Sequence, residues 1–330
     1  MTGILLLDKP QGMTSFSAVS RVRRITGAKK AGHTGTLDPM ATGVLPVLLG
    51  GATRFCELLP THGKTYIAGM KLGITTDTLD ITGEILSRSD FSVSLNDFER
   101  ALNSFNGTVM QKPPMYSAIS QNGVRLYKLA RQGIEVERES REVTISSRLL
   151  CADETSGEFT IETECSAGTY IRSLVSDIGE ALGCGAVMTS LRRTKANGFG
   201  IEQCFTPEQL EELRISGKLE DTVIPIESAF SSLREISVTQ PQTVRFLNGG
   251  ALSADRLKLN LSVQGELLRV KSPAGEFLGI GEVSSDELKV RRLLIKRLLC
   301  RSAAHPTPCG MNKYIKHISS IQFVMHSIDF

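Results

Sequence analysis

No apolar run in this 330-residue chain approaches the ~18 residues that a bilayer-crossing helix needs. The apolar opening Ile4-Leu5-Leu6-Leu7 is too short for a signal peptide and has no basic flank. None of the seven cysteines (56, 151, 165, 184, 204, 300, 309) forms a C-x-x-C pair, and an odd number in a chain this long reads as reduced, buried thiols. A cytoplasmic protein is expected. A G-x-x-x-x-G-K-[ST] phosphate loop, a G-x-G-x-x-G fingerprint and a G-x-S-x-G elbow are all missing, which removes the main support for nucleotide hydrolysis, redox and serine-esterase chemistry. His33, Asp38, His62, Asp77 and Asp80 form no H-x-x-x-H or D-x-D-x-D pattern, and Cys300, His305, Cys309 and His317 lack the tight pairs of a zinc motif. Internal repeats and low-complexity tracts are absent too.

What is present is ordinary globular composition, 41% hydrophobic and 22% charged, at a length that suggests one large and one small domain. The net charge of +3 is unevenly spread. Residues 1–75 hold nine Lys/Arg against three acids, and Lys112–Arg141 holds six against three. Such faces suit a polyanion such as RNA, although from charge alone simple solvated faces are the better reading.

The patterning alternates strands and helices. Ile4–Leu7 reads as a strand ended by Lys9-Pro10-Gln11-Gly12. Thr14 or Ser15 caps a helix to about Ile25, with Phe16, Val19 and Val22 on one face and Gly27 as its stop. Val44–Leu49 and Tyr66–Leu72 read as strands, Ala52–Leu59 as a short helix and Leu95–Phe105 as a longer one. Phe159–Cys165 alternates strictly, and Tyr170–Leu182 is a helix with Thr169 as its cap and Gly183 as its stop. Thr206-Pro207-Glu208 opens another helix. After about residue 235 short strands take over, at Val244–Leu247, Leu267–Lys271 and Phe277–Val283, and the residues past 296 read as a tail.

The densest unusual segment is Gly32-His33-Thr34-Gly35-Thr36-Leu37-Asp38-Pro39-Met40-Ala41-Thr42-Gly43. Glycines let backbone approach a ligand, and Pro39 restricts Asp38 to extended conformations. Asp38 is the only acid between Asp8 and Glu57, so basic or neutral neighbours should keep it ionised, as a nucleophile requires. An ordinary Asp-Pro turn is the commoner role for such a dipeptide. Arg172 lies in the first turn of its helix, where the dipole disfavours a cation, so it calls for a carboxylate partner.

Together these segments resemble the TruB family of bacterial tRNA pseudouridine synthases. Leu5-Leu6-Leu7-Asp8-Lys9-Pro10-Gln11-Gly12-Met13-Thr14-Ser15 is similar to its N-terminal signature, and Gly32 to Pro46 to its catalytic motif. Lys64-Thr65-Tyr66 with Leu72-Gly73 and Thr76-Asp77-Thr78 resembles its tyrosine strand. Pro113-Pro114-Met115-Tyr116-Ser117-Ala118 and the following Leu126-Tyr127 and Ala130–Ile134 resemble its RNA-gripping insertion. Cys165-Ser166-Ala167-Gly168-Thr169-Tyr170-Ile171-Arg172 and Leu191-Arg192-Arg193 complete the set.

The resemblance implies an α+β pseudouridine synthase fold with a mixed, largely antiparallel central sheet. Residues 1–230 would be the catalytic domain, with the RNA-gripping insertion at about 111–142. Residues 236–295 would form a small β-rich PUA-like module, and 296–330 an atypical tail that matches nothing in the family. It also implies isomerisation of uridine 55 in the tRNA T loop, by a monomer acting on the T stem-loop. Pseudouridine formation breaks N1–C1′ and rejoins the base through C5, with no net redox change or hydrolysis, so neither cofactor nor metal is expected. By resemblance Asp38 is the nucleophile, attacking C1′ or C6 or acting as a base on the ribose, and Arg172 compensates its charge. Tyr66 stacks on the target base and accepts or relays the C5 proton, Tyr170 and Leu191 line the uracil pocket, and His33 fills the space left by the flipped base. Two other classes compete: an RNA-binding module or chaperone without catalysis, and a metal-dependent phosphoesterase using His33, Asp38 and Asp77.

Overall fold

Two apolar strands, Gly3–Lys9 (β1) and Thr42–Leu49 (β3), pair antiparallel along their length, with Leu5 opposite Val47 and Leu7 opposite Leu45. Both are buried on two faces, which is why they read as continuous apolar runs. The computed structural model describes residues 1–60, 63–121, 123–257 and 263–294. In it β1 and β3 begin a nine-stranded sheet with Ala31–His33 (β2), Lys64–Leu72 (β4), Gly107–Gln111 (β5), Arg141–Asp153 (β6), Glu158–Cys165 (β7), Ala186–Ala196 (β8) and Phe199–Gly200 (β9). The order is β1-β3-β8-β4-β7-β6-β5, with β2 on β3 and β9 on β8. Every pairing is antiparallel except β3 with β8, so the sheet is mixed and largely antiparallel, as expected. At the parallel pair Gly43 has φ 104°, and a Cβ there would lie 2.1 Å from the Arg193 carbonyl oxygen. Only glycine lets the two backbones meet there.

Helices pack on the sheet. Thr14 Oγ1 accepts from the Ser17 amide at 3.1 Å and opens Ser15–Thr26 (α1), and Gly27 at φ 63° closes it. Val19, Val22 and Ile25 pack on Leu5, Leu7, Leu45 and Val47. Leu95–Ser104 (α2) and Ile171–Ala181 (α3) bury Phe98, Leu102, Leu174, Val175 and Ile178 in a core with Ala68, Met70, Ile145, Phe159 and Ile161.

A second sheet follows, of Glu235–Ser237 (β10), Leu252–Ser253 (β11), Leu267–Lys271 (β12), Phe277–Ser284 (β13) and Glu287–Leu293 (β14), in the order β10-β12-β13-β14-β11. Phe277 and Ile280 pack with Ile4, Leu6, Phe55 and Phe230, so its face is continuous with the core under β1.

Several sequence expectations shift. Phe16 does not share the buried face of α1; it stands 79% exposed, because Ser15 takes the inward position and bonds to Leu37. Val244–Leu247 is not a strand but the end of the helix Gln240–Leu247 (α4), whose start is fixed by the Gln242 side chain accepting from the Thr239 amide at 2.8 Å. Gly50–Leu58 is a 3₁₀ segment. Thr169 does not cap α3; Tyr170 does, and the Thr169 hydroxyl donates to the Ser166 carbonyl. Cys165 and Cys184 are buried, but Cys56 and Cys151 are exposed, Cys56 next to the inward Phe55 and Cys151 at a bulge in β6. Cys300, Cys309 and the tail from 296 lie outside the described residues.

Ile25→Ala should cost about 2–5 kcal/mol in urea unfolding, as buried Ile truncations do. Phe16→Ala should stay within ~0.5 kcal/mol of the unmodified protein, the range for exposed positions. Comparable losses would mean that α1 docks through another face.

Candidate active site

The segment between β2 and β3 is gripped from both sides of Asp38. Ser15 Oγ donates to the Leu37 carbonyl at 2.9 Å and accepts from the Leu37 amide at 2.8 Å. Beyond Asp38, the Gly12 amide donates to the Pro39 carbonyl at 2.8 Å, and Lys9 Nζ donates to the same oxygen at 3.4 Å. Lys9 also donates to the carbonyls of Met13 at 2.6 Å and Pro10 at 2.9 Å. Burial lowers its pKa to about 8, with Asp38 opposing and Arg193 adding to the shift. The turn after β1 and the cap of α1 thus act as a bracket for one aspartate.

Arg172, 6% exposed at the start of α3, meets that aspartate, Nε to Oδ2 at 3.0 Å. Its Nη1 donates to the Thr78 carbonyl at 2.9 Å and its Nη2 to the Tyr116 carbonyl at 2.8 Å. A second carboxylate, Asp80 Oδ2, stands 3.8 Å from Nη1. Asp80 is buried, and its Oδ1 accepts from the Thr78 hydroxyl and the Thr82 amide, each at 3.0 Å. Burial raises the Asp38 pKa above the ordinary aspartate value of 3.8, Arg172 opposes the rise, and Asp80 adds to it. The expectation of only basic or neutral neighbours misses Asp80, which arrives from a segment 42 positions away in the chain.

Tyr66 lies on β4, 6% exposed, opposite Arg193 of β8 and Thr163 of β7. Burial raises its phenol pKa, and the Arg193 guanidinium beside it pulls the other way. Tyr170 is held by both ends of one amide: its N–H donates to Gln111 Oε1 at 2.8 Å, and Gln111 Nε2 donates to its carbonyl at 3.1 Å. Leu191 is buried on β8, two residues before Arg193, in one core with Leu37, Met40 and Tyr66. His33, half-buried at the end of β2, has a buried Nδ1 with no hydrogen-bond partner among the described residues. Its pKa is lowered by burial first and by Arg193 second.

The structure therefore brings Asp38, Arg172 and Asp80 into direct contact, and sets Tyr66, Leu191 and Arg193 on the sheet beneath. His33 sits at the far end of the Asp38 loop. Lys9, Ser15, Asp80 and Arg193 were not singled out as site residues from the sequence, although each lies in or beside a quoted motif. Tyr116 meets this cluster through its carbonyl, which accepts from Arg172, and its hydroxyl donates to Asp77 Oδ2 at 3.0 Å. Among the described residues no group of three His, Cys, Asp or Glu side chains is placed to share an ion, so His33, Asp38 and Asp77 do not converge as a phosphoesterase centre would require.

Three family models match the chain in succession. Residues 23–171 match the TruB family pseudouridylate synthase N-terminal domain, 172–231 the tRNA pseudouridylate synthase B C-terminal domain, and 235–294 the pseudouridine synthase II TruB C-terminal domain. Fold and sequence thus define a pseudouridylate synthase, an isomerase. The tRNA pseudouridine synthase B of Clostridium perfringens is 44% identical over 298 residues, covering 90% of this chain and 100% of the relative. That of Pseudomonas putida is also 44% identical, covering 90% of this chain and 96% of its own. A solved structure of a Cbf5-Nop10-Gar1 complex superposes with a TM-score of 0.66 at 26% identity, over 89% of this chain and 85% of the other. The chain belongs to the TruB family.

The Asp38 carboxyl, followed by ¹³C NMR, should titrate above 3.8. Asp80→Asn removes the like charge and should lower that titration point. An unchanged or higher value in the variant would show that Asp80 does not act on Asp38.

Proposed function

We propose that this protein converts uridine 55 in the T loop of tRNA to pseudouridine, with Asp38 as the nucleophile on a flipped-out base. The observation that carries the proposal is the Asp38–Arg172 contact at 3.0 Å, with backbone and side-chain bonds holding both partners in place. The relatives' names, tRNA pseudouridine synthase B, support tRNA as the substrate.

Each candidate route, attack at C1′ or C6 or base action on the ribose, begins with an ionised carboxylate in a site that excludes water. Arg172 supplies the opposing charge that burial and Asp80 make necessary. The uracil leaves N1–C1′, turns, and rejoins through C5, and the C5 proton departs while N1 gains one. Tyr66 stacks on the base and relays the C5 proton; its raised pKa suits a neutral phenol that takes one proton as it passes on another. Tyr170 and Leu191 bound the uracil, and His33 enters the gap left by the flipped base, whose extraction costs a few kcal/mol.

In the same reading residues 1–230 catalyse as a monomer in the cytoplasm, the segment at about 111–142 grips the T stem-loop, and 236–295 is a PUA-like RNA-binding module. The balanced isomerisation requires no cofactor or metal.

Asp38→Asn should abolish tritium release from tRNA labelled at uracil C5, while tRNA affinity stays within roughly tenfold because no phosphate contact is lost. Turnover by the variant, checked for deamidation, would remove the nucleophile role. A wild-type protein that binds tRNA and releases no tritium would favour the non-catalytic binding module instead.

Tyr66 separates two demands. Under single-turnover conditions Tyr66→Phe keeps the stacking ring and should lose much of the ~10²–10⁴-fold that a proton-transfer group supplies. Tyr66→Leu should lose more, since base–aromatic stacking is worth ~1–3 kcal/mol. If Phe matches wild type while Leu is inactive, the ring is a platform and the proton leaves by another route.

A further inference from the structure

Arg193 is 1% exposed, and no carboxylate pairs with it among the described residues. Its Nε donates to the Val44 carbonyl at 2.7 Å and its Nη2 to the Gly35 carbonyl at 3.2 Å. Its Nη1 is buried and makes no well-formed hydrogen bond among the described residues, and the guanidinium lies within reach of the Tyr66 hydroxyl. Lys64 opens β4, half-buried, and makes no ion pair among the described residues either. The two cations flank one point: a Cβ added to Gly35 would lie 3.4 Å from Lys64 Nζ and 3.6 Å from Arg193 Nη1. His33, two residues before Gly35, adds a third basic group whose Nδ1 is also unpartnered. Burial and Arg193 together lower the Lys64 pKa, which is the mark of cations crowded without a counter-charge.

Buried cations persist when something pairs with them, and a buried guanidinium donor left unbonded calls for a missing acceptor. By contrast each of the three nitrogens of Arg172, also buried, has a partner. An anionic group that arrives with the substrate would meet both cations. Lys64 is two residues from Tyr66 on β4, and Arg193 is the cross-strand partner of Tyr66, so the cations lie on the tyrosine's own face of the sheet. A nucleotide whose base rests on Tyr66 carries its nearest negative charge on the adjoining phosphodiester.

We propose that Lys64 Nζ and Arg193 Nη1, with His33 at the edge, form a subsite for the RNA backbone phosphate that adjoins the target uridine. This rests on the reading that a uridine is isomerised beside Asp38 and Tyr66. Gly35 carries no side chain to stand against the two cations. The subsite makes two charge-assisted bonds to a group that moves with the base when it flips, so it holds the flipped nucleotide rather than the stacked one.

The test uses T-stem-loop RNAs carrying a single methylphosphonate, which removes the charge, on the 5′ or the 3′ side of the target uridine. With the full-length protein, one of the two substitutions should weaken binding roughly tenfold or more. Lys64→Met should weaken binding of the all-phosphate RNA, should show a clearly smaller further loss with that methylphosphonate RNA, and should flatten the salt dependence by about 0.7 to 0.9 in log–log slope. Arg193→Lys, checked for native melting, keeps the charge but loses the fork and should reproduce the loss in part. A full methylphosphonate penalty persisting in Lys64→Met overturns the subsite, as does wild-type binding indifferent to both substitutions. Inorganic phosphate is the other source of the same anion: a thermal shift by phosphate alone that Lys64→Met removes, with no methylphosphonate effect, also overturns the RNA assignment. Failure of wild type to isomerise the all-phosphate stem-loop is a separate outcome and counts against the reaction itself.

Discussion

One buried guanidinium joins three parts of the chain that are far apart in sequence. Arg172 bonds to the Asp38 carboxylate, to the Thr78 carbonyl beside Asp80, and to the Tyr116 carbonyl. The loop, the segment after β4 and the start of the 111–142 segment are thereby held in one arrangement. Such a hub is costly to break: removing one member of a buried pair typically loses about 3–5 kcal/mol, because the remaining charge has no replacement for water. Here removal of Arg172 would leave Asp38 and Asp80 facing each other across the space it fills.

The hub works because the backbone around it is fixed before any side chain acts. Asp38 lies between two residues that are each tied to the β1–α1 turn, Leu37 through Ser15 and Pro39 through Gly12 and Lys9. β3 then runs parallel to β8 at Gly43, which places Leu191 and Arg193 below the loop. The segment from Lys9 to Ser15 therefore contributes to the site through its placement of backbone, not through contact with a reacting atom.

Much of this was legible in the sequence where signals are local. The cap at Thr14, the stop at Gly27, the apolar runs of β1 and β3 and the alternation of β7 each follow from neighbouring residues. The need of Arg172 for a carboxylate also followed, from its place at a helix N-terminus. What was not legible depends on tertiary approach. The exposure of Phe16 is decided by a hydrogen bond to Leu37, more than twenty residues away in the chain. Val244–Leu247 has the composition of a strand, and only the Thr239–Gln242 pairing reveals a helix start. Asp80 looks like any acid in a Thr- and Asp-rich turn until the fold sets it against Arg172.

Two of the buried polar atoms without a hydrogen-bond partner among the described residues lie at the site, while others, such as Ser156 Oγ, Thr243 Oγ1 and Arg292 Nε, lie far from it in the chain. Arg193 Nη1 and His33 Nδ1 lack partners, and Asp38 is held above its ordinary pKa, all on the Gly32–Gly43 loop or the strand beneath it. Linkage gives the sign of the last effect. With its folded value raised, ionised Asp38 works against folding at neutral pH, and that cost disappears as pH falls below the unfolded value. A protein selected for stability alone would protonate, pair or replace these groups. Their survival together fits the proposed site for a charged nucleotide. Groups already satisfied in the free protein gain nothing when substrate arrives, whereas unsatisfied ones contribute their interaction free energy only once it is bound. Arg172, with a partner at each nitrogen, keeps the architecture; Arg193, bonded at two of its three, is the one that the proposed subsite would use.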